Sequence, residues 1–150
     1  MQRIANGVLI KDGKVLLLQK PRRNWWVAPG GKMEQGETAK ESCIREYEEE
    51  TAVKLLNPEV KGIFTFIIKD QDKVVSEWMM FTFLATESEG VNLEQSTEGI
   101  IAWHPKEEVL KLPMAPGDYY ILDHVLNHEG VLCGTFIYTT EMELLDYRFS

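Results

Sequence analysis

Three glutamates set the hardest constraint on this chain. Glu46, Glu49 and Glu50 are related by i,i+3 and i,i+4 spacing, which gathers them on one arc of a helix. The helix is well marked in the sequence. Thr38 is a good N-cap, and Glu41 three residues later completes a capping box. Nothing from there to about Thr51 breaks a helix, and Cys43, Ile44 and Tyr47 fall on an adjoining side that can face a core. Like charges at i,i+4 destabilise an exposed helix by roughly 0.2–0.5 kcal/mol. Partly buried carboxylates ~5 Å apart repel by about 3 kcal/mol at an effective dielectric of ~20. Glu48, Glu49 and Glu50 also crowd the C-terminal turn, where the helix dipole favours cations. Arg45 offsets only part of this. A divalent cation shared by several carboxylates removes the conflict, and hard oxygen ligands suit Mg²⁺ or Mn²⁺. A solvated acidic face is the plain alternative.

A glycine-rich loop, Pro29-Gly30-Gly31, feeds the helix. From Gly31 the chain runs five residues to Glu37 and seven more to Arg45-Glu46-Tyr47, then Glu49-Glu50 and Ala52-Val53. This spacing resembles the Nudix box, Gly-x5-Glu-x7-Arg-Glu-U-x-Glu-Glu-x-Gly-U, with U an apolar residue. Six of its seven fixed positions match, and Ala52 stands where the family has Gly. Tyr47 is also larger than the usual aliphatic at U. Gly after a helix usually takes the left-handed conformation that ends it. Ala in that conformation costs on the order of 1 kcal/mol. Either Ala52 carries that strain or the helix ends differently; no ligand is lost.

The resemblance implies an α+β fold, an α/β/α sandwich with a mixed sheet between helices. It implies hydrolysis of a nucleoside diphosphate linked to another group, with Mg²⁺ or Mn²⁺ as cofactor. Glu46, Glu49 and Glu50 then match metal ligands, one of them being the base; which one varies in the family. The Gly30 carbonyl matches a backbone metal ligand. Glu37 and Arg45 match a pair that buttresses the loop against the helix. A further carboxylate often comes from a later loop, with Glu98 the candidate and Glu94 the second choice. The run Gly134 to Tyr138 with Leu144 to Tyr147, and the segment Pro116 to Tyr120, are similar to the MutT-like branch of oxidised purine nucleoside triphosphate hydrolases, such as 8-oxo-dGTP diphosphatase. In that branch two adjacent acidic residues read the purine edge; here Asp118 is one and Gly117 takes the other place. A base-contacting Asn of that branch falls near Val27. Lys20, Arg23, Gly31, Lys32 and Asp118 are therefore the candidate substrate contacts.

Other readings stay open: another nucleotide substrate, the 5′ triphosphate end of RNA, or a non-catalytic binding module. The last predicts missing carboxylates in the box, and all are present. The formal charge of −8 argues against long nucleic acid or an anionic membrane surface, although Lys20, Arg22 and Arg23 form a local basic loop. A small polyanion remains compatible, because bound cations invert the local field. Cys43 and Cys133 lie far apart and are expected as free thiols in a reducing cytoplasm. No apolar run reaches the ~18 residues of a membrane span, and no leader is expected, since Gln2-Arg3-Ile4 enters a strand directly. A homodimer is left open.

One domain over residues 1–150 is expected. Asp12-Gly13 predicts a hairpin between Arg3–Ile10 and Lys14–Lys20. Leu16-Leu17-Leu18 predicts a strand covered on both sides. Trp25 to Ala28 reads as a short strand and its tryptophans as core. Gly62–Lys69 with Val74–Leu84, and Val131–Thr139 with Glu143–Phe149, read as two more hairpins. Leu55–Pro58 reads as a connection, Glu87–Glu98 as a loop and Gly99–Trp103 as a strand. His104 is expected to open a helix. Asp118 is expected to cap another running to about His128, with Tyr120, Ile121, His124 and Val125 on its apolar side. His124 and His128 have metal spacing but lack a third ligand, and read as structural.

Overall fold

In the computed structural model, which describes residues 1–150, the chain opens with the expected hairpin. Strands β1 (Gln2–Lys11) and β2 (Lys14–Gln19) turn at Asp12 and Gly13, with φ of 53° and 74°. Those paired positive angles are what a two-residue hairpin loop requires. Two short strands follow, β3 (Trp26–Val27) and β4 (Gly30–Lys32), and then helix α1 (Ala39–Thr51). Next come β5 (Lys54–Leu56), β6 (Glu59–Asp70), β7 (Lys73–Ala85), β8 (Glu87–Glu89), β9 (Gln95–Ser96) and β10 (Gly99–Pro105). A 3₁₀ turn over Lys106–Lys111 leads to helix α2 (Pro116–Asn127), and β11 (Leu132–Thr139) and β12 (Leu144–Phe149) close the chain.

The main sheet has ten strands along the path β12-β11-β6-β7-β1-β2-β10-β9, with β3 beside β2 and β4 beside β1. It is mixed: β1 runs parallel to β7 and β6 parallel to β11. Leu16, Leu17 and Leu18 are all fully buried because the sheet is covered on both faces. Leu16 and Leu18 pack with Cys43 and Tyr47 of α1. Leu17, one residue out of phase, packs with Ile121 and Val125 of α2. This is the α/β/α sandwich that the resemblance implies. No helix is long and apolar enough to cross a membrane. Cys43 and Cys133 are both free, Cys43 buried and Cys133 half-buried.

Four local expectations are corrected. Leu55 and Leu56 are not in a bare connection: β5 pairs antiparallel with β8 as a separate two-stranded sheet, so Glu87–Glu98 holds β8 and β9 as well as loop. His104 does not open a helix, because β10 keeps its ladder with β2 down to His104–Val15 and Pro105–Lys14. Its ring meets Trp26 edge-on at 4.3 Å instead. Asp118 does not cap α2. The helix begins at Pro116, with Ala115 in the cap position, and Asp118 is its third residue; proline's fixed φ suits it to open a helix. Tyr120 is 39% exposed rather than in the core, and meets Tyr147 of β12 at 4.5 Å. His124 bonds the Gly130 carbonyl at 2.9 Å and His128 lies 3.4 Å from Asp123, in keeping with structural roles.

Candidate active site

Helix α1 is built as its sequence dictates. The Thr38 hydroxyl accepts from the Glu41 N–H at 3.1 Å, and the Glu41 carboxylate accepts from the Thr38 N–H at 2.9 Å. At the other end Ala52 takes the left-handed conformation, φ 67° and ψ 11°, and donates its N–H to the Glu48 carbonyl. The missing glycine is thus met by strain at Ala52, and the helix ends where a glycine would end it. Tyr47 fits the apolar position by being fully buried.

The glycines bring the main chain against the acidic face. Gly30 lies so close to β1 that a Cβ on it would overlap the Ala5 carbonyl oxygen. Its N–H donates to Glu50 Oε2 at 3.1 Å. A Cβ on Gly31 would overlap the Glu46 carboxylate. The loop and the helix therefore meet backbone to side chain: Gly30 has no room for another residue, and a side chain at Gly31 would push the Glu46 carboxylate aside.

Arg45 ties the two together. Its Nε and Nη2 donate to Glu37 at 2.7 and 2.9 Å, a bidentate pair of the geometry that guanidinium and carboxylate favour. Nη2 also reaches the Lys32 carbonyl at 3.1 Å, while Nη1 meets Glu46 at 2.9 Å and Glu49 at 3.2 Å. Hydrogen bonds from Arg45, then from the Glu34 N–H, hold the Glu37 carboxyl down at about 2. The Glu37 partnership pushes Arg45 up in turn. A lowered carboxyl contributes stability above its ordinary pKa of 4.5 and loses it as pH falls toward 2. Arg45→Ala should therefore lower the melting temperature at pH 7, and lower kcat tenfold or more by leaving Glu46 and Glu49 unscreened. Unchanged melting and unchanged kinetics would reduce Arg45 to a surface charge.

Glu46, Glu49 and Glu50 face Ser96, Thr97 and Glu98 across a cavity of about 210 Å³. The β9–β10 turn thus delivers Glu98 to the helix carboxylates, and Glu94 lies outside this lining. At the rim the Lys20 ammonium pairs with Glu98 at 2.9 Å. Burial pushes the Glu50 carboxyl up to about 7; the Gly30 N–H and Lys20 oppose that, while Glu98 and Glu46 add to it. The donor set is all oxygen and fits a hard divalent cation. No three of these acidic groups converge on one point; Glu46 and Glu49 are paired with Arg45, and Glu98 with Lys20.

The chain as a whole is similar to known proteins. The family model described as NUDIX domain matches residues 1–125. A Bacillus subtilis protein described as an uncharacterized Nudix hydrolase, YvcI, is 60% identical over 148 residues, covering 99% of this chain and 94% of its own length. The chain belongs to the Nudix hydrolase family. A crystal structure described as a mutator MutT protein from Bacillus halodurans superposes with a TM-score of 0.97 at 57% identity, covering 100% of this chain and 98% of that one. The CTP pyrophosphohydrolase of Escherichia coli is 25% identical over 127 residues, 82% of this chain and 90% of its own. Nudix hydrolases are pyrophosphohydrolases that act on nucleotide substrates and generally use divalent metal ions such as Mg²⁺.

The remaining substrate candidates of this Nudix chain are scattered. Lys20 stands at the cavity rim and Gly31 against Glu46. Lys32 is exposed, its carbonyl taken by Arg45. Arg23 turns away, its guanidinium 5.0 Å over the Trp25 ring and 3.4 Å from the Glu141 carbonyl. Asp118 lies near the buried Tyr138, and burial pushes its carboxyl up to about 7. Asp118 is half-buried, and its carboxyl oxygens keep contact with solvent while the packing around them raises the pKa. Tyr138 is the residue sequence reasoning passed over. Its hydroxyl accepts the Gly117 N–H at 2.7 Å, and a Cβ on Gly117 would come within 2.5 Å of that oxygen and 2.8 Å of Phe136. The second acidic residue of the resembling branch has no space here. Tyr138 stands in the quoted run Gly134 to Tyr138, but nothing local shows that it reaches a helix 21 residues earlier.

Proposed function

We propose that this Nudix hydrolase is a Mg²⁺- or Mn²⁺-dependent nucleoside triphosphate pyrophosphohydrolase, acting as one domain over residues 1–150 in the cytoplasm. Its substrate class is purine triphosphates, 8-oxo-dGTP among them, cleaved to the monophosphate and pyrophosphate. The observation that carries the reading is the 210 Å³ cavity that sets Glu98 across from Glu46, Glu49 and Glu50, with Lys20 at its rim. Those four carboxylates and the Gly30 carbonyl would hold the cation. When bound, a divalent ion screens the phosphates and lowers the pKa of water. Lys20 is placed to exchange Glu98 for a substrate phosphate. Gly30 and Gly31 let the main chain approach without side chains in the way. Arg45 and Glu37 keep loop and helix in register, so the carboxylates hold their places.

The purine reading is supported by the position of Asp118 and by the description of the Bacillus halodurans structure as a mutator MutT protein. A second reading, a pyrimidine triphosphate, is favoured by Gly117, which removes one expected purine contact, and by the described activity of the Escherichia coli relative. A panel of eight ribo- and deoxyribonucleoside triphosphates plus 8-oxo-dGTP, with orthophosphate resolved from pyrophosphate, separates them. Pyrophosphate release with purines in front, abolished by EDTA and restored by Mg²⁺, is expected. Activity that survives EDTA would overturn the metal role, and pyrimidines in front would overturn the purine assignment.

A further inference from the structure

A second and larger cavity lies at the other end of β2 from Lys20, roughly 20 Å along the strand. Its volume is about 430 Å³, within the range of about 300–1,000 Å³ that small-molecule sites occupy. It shares no lining residue with the carboxylate cavity. Lys11, Lys14 and Trp103 line it from one face of the main sheet, where Trp103 pairs with Leu16 and Lys14 with Lys11, and Ser88, Gly90, Val91 and Asn92 line it from the β8–β9 segment.

The two lysines are direct partners across the β1–β2 ladder. Like charges directly opposite in such a pair are destabilising, and neither lysine makes an ion pair anywhere in the chain. Asp12, on the turn between them, lines the same cavity and supplies one negative charge without closing a salt bridge. In a chain of net charge −8, two exposed ammonium groups without an ion pair at one concavity make a local positive site that an anion can use. Trp103 adds a planar surface beside the two lysines. Trp103 donates its indole N–H to Asn92 Oδ1 at 2.9 Å, which holds the ring in the wall. The loop behind it is fixed: Gly90 has φ 96°, and a Cβ there would come within 2.9 Å of the Ala52 carbonyl. Leu93 is tied to the end of α1 through the Thr51 carbonyl at 2.9 Å.

We propose that this cavity binds a small anion carrying a planar ring, of the nucleoside monophosphate kind. Lys11 and Lys14 would take the anionic group, and Trp103 would stack on the ring, a contact that any base can make. The proposal does not depend on the carboxylate cavity being catalytic.

The probe is AMP in EDTA, followed by calorimetry and by tryptophan fluorescence, with inorganic phosphate as the ring-free control. Saturable binding with a Kd of about 1 mM or tighter is expected. It should weaken tenfold or more in Lys11→Ser/Lys14→Ser, and the fluorescence change should vanish in Trp103→Phe. Lys20→Met and Asp118→Asn should leave it unaltered. The substituted lysines are exposed, and melting curves verify that the variants are folded. Binding that survives the double lysine substitution and disappears with Lys20→Met would place AMP in the carboxylate cavity and overturn the proposal. So would phosphate binding as tightly as AMP, or no saturation by about 10 mM AMP.

Discussion

Glu49→Gln and Glu50→Gln should each lower kcat by at least about 100-fold, comparable to losing a major electrostatic contact in the transition state. Neither should appreciably lower stability in EDTA. Glu50 is half-buried, with a carboxyl pushed up to about 7 and with Glu46 and Glu98 among the groups that raise it. An uncharged amide in its place relieves that repulsion and can still accept the Gly30 N–H. Glu49 is 59% exposed and is held by Arg45 at 3.2 Å in a pair four residues apart, an interaction worth only about 0.3–0.5 kcal/mol on a helix. Stability thus holds or rises at Glu50 and changes by only a few tenths of a kcal/mol at Glu49 while activity collapses at both, which a merely structural role for these acids would not produce. Steady-state kinetics with Mg²⁺, beside thermal melts in EDTA, test this directly. Near-normal turnover in both variants would remove the acidic arc from the chemistry.

Local signals carried most of the carboxylate site. The capping box at Thr38, the helical spacing of the glutamates and the glycine pair before them are all short-range features, and the structure assembles them as spaced. Ala52 is also legible as a conflict, since helix ends are decided within one turn; its resolution by strain, at φ 67°, depends on the packing around the helix end. What stayed hidden depends on pairing across long sequence separations. β5 is three residues whose partner, β8, begins at Glu87, and no periodicity marks so short an element. His104 remained in a strand because β2, some ninety residues earlier, continued to offer it a ladder. Glu98 was selected by resemblance, but its ion pair with Lys20 spans 78 residues. The Tyr138 hydroxyl that excludes a side chain at Gly117 is the same kind of fact.

Asp118→Asn should separate two roles for a residue that the structure has moved out of the cap position. Burial raises its carboxyl from 3.8 to about 7. A helix N-terminus favours an anion by about 0.3–1 kcal/mol, which does not offset that burial. The folded state therefore holds this proton more tightly than the unfolded chain. The resulting stability is complete below about pH 3.8 and is lost as pH rises through about 7. The slope is at most about 1.4 kcal/mol per pH unit for one group. Asparagine does not titrate, so the variant should melt higher than the parent at pH 8, and the gap should close as pH falls toward 4. Activity should move the other way. If Asp118 pairs with a purine edge, the substitution leaves a buried group of the base poorly matched, at about 1–3 kcal/mol. The expected loss in kcat/KM is tenfold or more for purine triphosphates and smaller for pyrimidines. Because Tyr138 and Phe136 fill the space beside Gly117, the parent itself should distinguish 8-oxo-dGTP from dGTP less sharply than an enzyme with two adjacent acids. A higher melting point at pH 8 with equal losses for every base would keep Asp118 as a half-buried acid with a raised carboxyl and take it out of base recognition. A pH-independent gap would contradict the raised carboxyl on which the stability expectation rests.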